Sequence, residues 1–374
     1  MRAPAELSNA LFFVALGCYV AAMAAYFFRM AFTRATVDGV MLSTRAGERA
    51  GLVATGLAIS GAAAHVGSVV ARGVAAGRVP WANMYEYSSV VALLAVVAGL
   101  VAVQRRMGYG HLMGFVLAAG VVTMSAGAML FVPAGPTVPA LESYWLKIHV
   151  TGMVSASAVF VLAFVSTALY LARDTAEHRV AARSGAGYGT GTVGAASVEQ
   201  AGQRIGASTG TSVIVSPVEL RRVLSPVWLA TLTGPLFFTW GALKYDVARG
   251  GSMALAGALI GVGAWYALPH LPPAAQLDAL AYRLAAFAMP IFTFAIICGA
   301  IWAEEAWGRH WGCDPKETGS FFTWVLYAAY LHARAAHGWR GRRAAWIGIA
   351  AFVALMVTYF AVNLVVVGLH SYAT

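Results

Sequence analysis

The chain has 374 residues, of which 60% are hydrophobic and 11% charged, with a formal net charge of +10. A soluble domain carries about 25% charged residues, so this chain has too little charge to coat a water-facing surface of its size. That excludes a soluble enzyme and a disordered chain. The basic excess reads as the inner face of a membrane protein and not as a nucleic-acid surface.

Apolar runs predict an all-α, polytopic helical membrane protein with eight spans, at 10–32, 51–75, 87–104, 110–131, 149–171, 283–303, 318–336 and 344–367. Each is close to the roughly 20 residues that a bilayer requires. The first run has no small-residue cleavage site placed as in a signal peptide, so it is expected to be a retained span. An outside N-terminus puts Arg29, Arg34, Arg45, Arg49, Arg105 and Arg106 at inner turns. The same orientation places Arg173, Arg179, Arg183, Arg204, Arg221, Arg222, Arg334, Arg340, Arg342 and Arg343 inside. Arg2, Arg72, Arg78, Lys147, Arg309 and Lys316 are then left outside, in agreement with the positive-inside bias.

Three regions follow. Residues 1–172 form a five-helix membrane region, 173–281 an inner loop, and 282–374 a three-helix core. Within the loop, 181–215 is rich in Gly, Ala, Ser and Thr and is expected to be flexible. The stretch 225–270 is a hydrophobic hairpin broken at Gly234 and Pro235; if it crosses, eight spans become ten. Cys18, Cys298 and Cys313 form no CxxC, which excludes a thiol–disulfide carrier and a c-type haem protein.

The unusual residues collect on the expected outer face. The segment Trp302 to Thr318, WAEEAWGRHWGCDPKET, sets Trp302, Trp307 and Trp311 around Gly308 and Gly312. An interfacial aromatic belt explains isolated tryptophans, but not two glycines, the carboxylates Glu304 and Glu305, and an ordered helix restart in one loop. In Asp314-Pro315-Lys316-Glu317 the aspartate is an N-cap, the proline fits the first helical position, and the glutamate completes a capping box. The new helix then directs free N–H groups outward, beside Arg309 and Lys316. A flat aromatic ligand bearing carboxylates suits such a surface, and haem has both properties.

His149 and His370 stand at the outer ends of two spans, flanking this platform, and are candidate axial ligands to haem iron. His332 lies within a span, where an ionisable group is costly and usually functional. It is a candidate for a second, inner haem position, with His65 a weaker candidate partner.

WGRHWGCDPKET closely resembles the tryptophan-rich signature WGxxWxWDPKETW of haem-handling membrane proteins. The chain resembles most the CcsA/ResC family of System II cytochrome c biogenesis. VPWANMYEYSS resembles that family's PxxNxYE segment, LKIHVTGMVSASA its histidine-bearing span, and VNLVVVGLHSYA its ending. The resemblance implies that His149 and His370 ligate haem b at the platform and that His332 is the histidine within the membrane. It also implies a ResB-type membrane partner, apocytochrome c as acceptor, and a bacterial plasma membrane or thylakoid location with an extracytoplasmic working face. The implied activity is that of a holocytochrome c synthase subunit. The chain departs from the pattern at Cys313 and Gly319, where the family usually has Trp. Two other readings are a haem transporter or chaperone without attachment activity, and a b-type cytochrome subunit that transfers electrons through paired histidines.

Overall fold

The computed structural model describes residues 2–35, 41–135, 142–183, 251, 254, 266–362 and 366. The expectations for 225–270, apart from these few residues, and for His370 therefore lie outside the described residues. Helix dominates, as it must where lipid offers the backbone no hydrogen-bond partner. The helices are α1 (Arg2–Ala31), α2 (Arg45–Ala76), α3 (Met84–Ala98), α4 (Met113–Ala128), α5 (Tyr144–Arg183), α6 (Ala274–Trp307), α7 (Pro315–Ala336) and α8 (Arg342–Met356). π-helical turns extend α3 over Gly99–Arg106 and α8 over Val357–Ala361.

Each apolar run named from the sequence overlaps one of these helices. Among the described residues, six helical segments are long and apolar enough to cross a membrane: 3–31, 45–76, 84–106, 144–180, 274–307 and 342–361. The helix α4 is apolar but shorter, and α7 carries Lys316, Glu317, His332 and Arg334 within its 22 residues. The protein is a polytopic helical membrane protein. A short ladder accompanies the helices: Thr33–Ala35 pairs antiparallel with Met41–Ser43, in the register Thr33↔Ser43. This short ladder satisfies its own backbone groups between α1 and α2.

The chain divides into two compact units. The second comprises Phe27–Gly51 and Leu169–Gln276. It contains the short ladder and the continuation of α5, where Arg173 and Glu177 pair at 2.6 Å one helical turn apart.

The first unit comprises Met1–Tyr26, Leu52–Ala168 and Leu277–Thr374 and holds every candidate site residue. Its core is arranged around α5, the most buried of the candidate spans. Phe160 stacks on Tyr327 of α7 at 3.8 Å and meets Phe292 of α6 edge-on at 5.6 Å. Phe164 stacks on Phe352 of α8 at 4.1 Å. Trp324 Nε1 donates to Thr293 Oγ1 at 2.9 Å, joining α7 to α6.

Among the described residues, two clusters of buried charge are matched. Asn83 caps α3 by accepting from the Glu86 N–H at 2.9 Å. The Glu86 carboxylate accepts from Arg72 Nε at 2.9 Å, Arg78 Nη1 at 2.7 Å and the Ala82 N–H at 3.0 Å. Arg72 also donates to the Val132 carbonyl, and Arg78 to that of Gly135 at 3.0 Å. At the far end of α6, Asp278 takes two hydrogen bonds from Arg334, at 2.6 and 2.9 Å. The Arg334 guanidinium lies 4.8 Å from the Tyr282 ring.

Removing one partner of a buried pair leaves the other charge uncompensated, at a cost of about 3–5 kcal/mol. Glu86→Ala strands two arginines at once and is expected to lower stability by at least that amount. Thermal unfolding of the purified protein in detergent, followed by circular dichroism, measures it; an unchanged midpoint would contradict the assignment.

Candidate functional site at the tryptophan loop

The loop between α6 and α7 is built by specific backbone chemistry. Gly308, at φ +68°, ends α6, a conformation that glycine adopts without penalty. Cys313 adopts φ +56°, the one non-glycine residue in the left-handed region among those described. Asp314 caps α7, its carboxylate accepting from the Lys316 N–H at 3.1 Å. Glu317 completes the capping box, with Oε2 accepting from the N–H groups of Asp314 at 3.1 Å and Gly312 at 2.8 Å. Both amides that flank Cys313 are thus held by one carboxylate. Gly312 has no side chain because a Cβ there would lie 1.1 Å from Arg309 Nη1.

The three tryptophans do not form a single stack. Trp302 is buried, with its ring 4.9 Å from Trp307 at 62°, and the Arg309 guanidinium lies 5.9 Å over Trp307. Trp311 is 40% exposed and stands edge-on to Phe321 of α7, which is parallel to Trp324. The surface therefore offers Trp307, backed by the buried Trp302, at the end of α6 and an aromatic shoulder at the start of α7. Gly319 also has a structural role: a Cβ there would lie 2.5 Å from Thr358 Oγ1. The side chain missing at 319 lets the π-helical end of α8 approach α7.

His149 is the best-defined candidate ligand. It lies in the second turn of α5, and its Nδ1 is 2.7 Å from the Ala295 carbonyl of α6. A carbonyl only accepts, so Nδ1 carries the hydrogen and Nε2 the lone pair. This is the arrangement in which a backbone carbonyl orients an imidazole for metal ligation. The close approach depends on small residues. A Cβ at Gly299 would lie 2.6 Å from His149 Nδ1, and one at Gly152 would lie 2.8 Å from the Ala295 Cβ. Ala295 and Gly299 are four residues apart and form a small-xxx-small contact that brings helix backbones together. Ser143 Oγ donates to Glu305 Oε2 at 2.6 Å, tying the start of α5 to the end of α6.

The other histidines behave differently. His65 is fully buried, its Nδ1 3.3 Å from Tyr19 Oη and its Nε2 2.8 Å from Ser89 Oγ. Both ring nitrogens are engaged, which describes a structural residue. His332 is exposed on α7, and its recorded ring contact is with His337, centroids 5.3 Å apart. The Gly152–Ala295–Gly299 crossing is not apparent from the sequence, where the small-xxx-small spacing on α6 does not name its partner helix.

Burial pushes the Lys316 ammonium down from 10.5 to about 8, opposed by the Asp314 carboxylate. Between these values the unfolded chain binds more protons than the folded one, so this group makes stability rise with pH across that window. An amine-reactive acylating reagent is expected to modify Lys316 with a midpoint near pH 8. Quantitative peptide mapping measures this, and a midpoint near 10.5 would contradict the burial.

The fold and site define a polytopic membrane protein with an ordered tryptophan loop between two helices and a carbonyl-oriented histidine on a third. The family model described as "Cytochrome C assembly protein" matches residues 81–370. The "Cytochrome c biogenesis protein CcsA" of Microcystis aeruginosa is 33% identical over 332 residues, covering 86% of this chain and 87% of the relative. The proteins of the same name from Gloeobacter violaceus and a Synechocystis species are each 33% identical, over 318 and 313 residues. They cover 82% and 81% of this chain, and 82% of each relative. The chain belongs to the cytochrome c assembly protein family, and its role lies in cytochrome c biogenesis.

Proposed function

We propose that the chain holds haem b, as substrate, at the tryptophan loop and presents it for covalent attachment to the CxxCH of an apocytochrome c. The observation that carries this reading is the His149 Nδ1–Ala295 carbonyl bond, which fixes the orientation of the ring and places the hydrogen on Nδ1. His370 supplies the second axial imidazole. Trp307 and Trp311 offer ring faces and edges, with Trp302 packed behind Trp307, and Arg309, Lys316 and the α7 N-terminus, capped by Asp314, favour the haem carboxylates. The protein contributes position and iron electronics, while the cofactor carries the reactive vinyl groups. Each cysteine S–H adds across one vinyl double bond: sulfur bonds to one carbon, hydrogen to the other, and no electrons leave the pair.

In this reading eight helices cross the bacterial plasma membrane, or a thylakoid membrane, with the N-terminus and the tryptophan loop on the extracytoplasmic side. A ResB-type membrane protein completes the holocytochrome c synthase. His332, on the exposed face of α7, serves an inner haem position on the way to the platform.

The test is purification of the full chain with a ResB-type partner, followed by absorption spectroscopy of bound haem. A low-spin bis-imidazole spectrum is expected for the wild type, to be lost in His149→Ala and in His370→Ala. Unchanged spectra in both variants would overturn the axial-ligand assignment.

A further inference from the structure

Two polar atoms at the start of α7 stand out. Among the described residues, Glu317 Oε1 and Arg309 Nη1 are buried side-chain atoms with no hydrogen-bond partner. The Glu317 side chain is only 10% exposed and turns back over the helix N-terminus, where its other oxygen holds the Gly312 and Asp314 amides. Arg309 Nη1 stands 3.6 Å from that second oxygen, close enough for attraction but too far for a hydrogen bond. One acceptor and one donor are thus left side by side, each lacking the bond that burial normally demands.

A haem carboxylate satisfies only half of this pair. It accepts from Arg309 but offers no proton to Glu317, whose negative charge repels it. A residue of extended polypeptide satisfies both halves, because its own N–H and C=O point to the same edge, as in an antiparallel ladder. Such main-chain pairing supplies affinity without regard to side chains. Both atoms are covered in this structure, and an incoming segment reaches them by displacing the Arg309 side chain, which is 33% exposed and lies on the loop that begins at Gly308. Beside it, Trp311 and Phe321 are 40% and 53% exposed and form an apolar shoulder for a neighbouring side chain of the incoming segment.

We infer that Glu317 and Arg309 form a main-chain docking site for an extended peptide, the N–H donating to Glu317 Oε1 and the C=O accepting from Arg309 Nη1. This rests on the proposed function only in taking that peptide to be the apocytochrome segment that carries CxxCH. The pair sets the register of the segment beside the haem.

The probe is a fluorescein-labelled peptide bearing SxxSH, so that no thioether forms, titrated by anisotropy against the full chain in nanodiscs loaded with haem. Glu317→Gln keeps a carbonyl for the helix cap, since Gln also completes a capping box, but turns the free oxygen into an N–H donor. Peptide affinity is expected to fall about tenfold, the equivalent of one lost hydrogen bond to a charged group. The haem spectrum and the thermal midpoint should stay unchanged. N-methylation of the docking amide, found by scanning the peptide, should weaken wild-type binding by a similar factor and add no further loss in Glu317→Gln. Equal peptide affinity in wild type and Glu317→Gln would overturn the inference, as would a variant that loses haem but not peptide. The proposed function fails separately, if the wild-type chain shows no bis-imidazole haem.

Discussion

The functional end of this molecule depends on how closely α5 crosses α6. Lipid supplies no hydrophobic drive between helices, so a crossing in a membrane is held by packing and by the hydrogen bonds that close approach permits. Here Gly152 meets Ala295 and His149 meets Gly299, and neither glycine position has room for a Cβ. The reward for that approach is one bond, from His149 Nδ1 to the Ala295 carbonyl, and with it a fixed imidazole tautomer. The aromatic contacts of Phe160 with Tyr327 and Phe292 continue the same packing along α5 and hold α7 in place. The tryptophan loop, which joins α6 to α7, is therefore suspended between two helices that α5 positions.

The scarce charge is arranged on the same principle. A chain with 11% charged residues spends several of them in buried pairs, Glu86 between two arginines and Asp278 against Arg334. These pin helix ends where the backbone leaves the bundle. Four more, Arg309, Asp314, Lys316 and Glu317, order the loop. Asp314 and Glu317 satisfy amides that the helix start would otherwise leave free, and this allows a strained residue such as Cys313 to sit between them. The loop is thus rigid where it meets α7 and open at Trp311.

Much of this was legible in the sequence, and the reason differs from one element to the next. The apolar runs marked the helices because burial in lipid leaves an unbroken signature, and the capping box at Asp314 to Glu317 was readable because its residues are local. The crossing of α5 over α6 was not read, because small residues become informative only when their partner helix is known. The same holds for Gly319: its absent side chain acquires meaning only against Thr358. His65 is the complementary case: an intramembrane histidine suggests a ligand, and here Tyr19 and Ser89 lie against both ring nitrogens. The tryptophans, grouped by sequence into one platform, separate in space into a pair and a shoulder.

The central claim is that the α5–α6 crossing prepares His149 to bind iron, and it is tested most directly by altering the crossing while keeping the histidine. Gly299→Val places a branched side chain where His149 Nδ1 now lies. This variant, purified with a ResB-type protein and haem, is expected to lose the bis-imidazole spectrum although His149 and His370 are both present. A spectrum identical to that of the wild type, in a protein that remains folded, would contradict it.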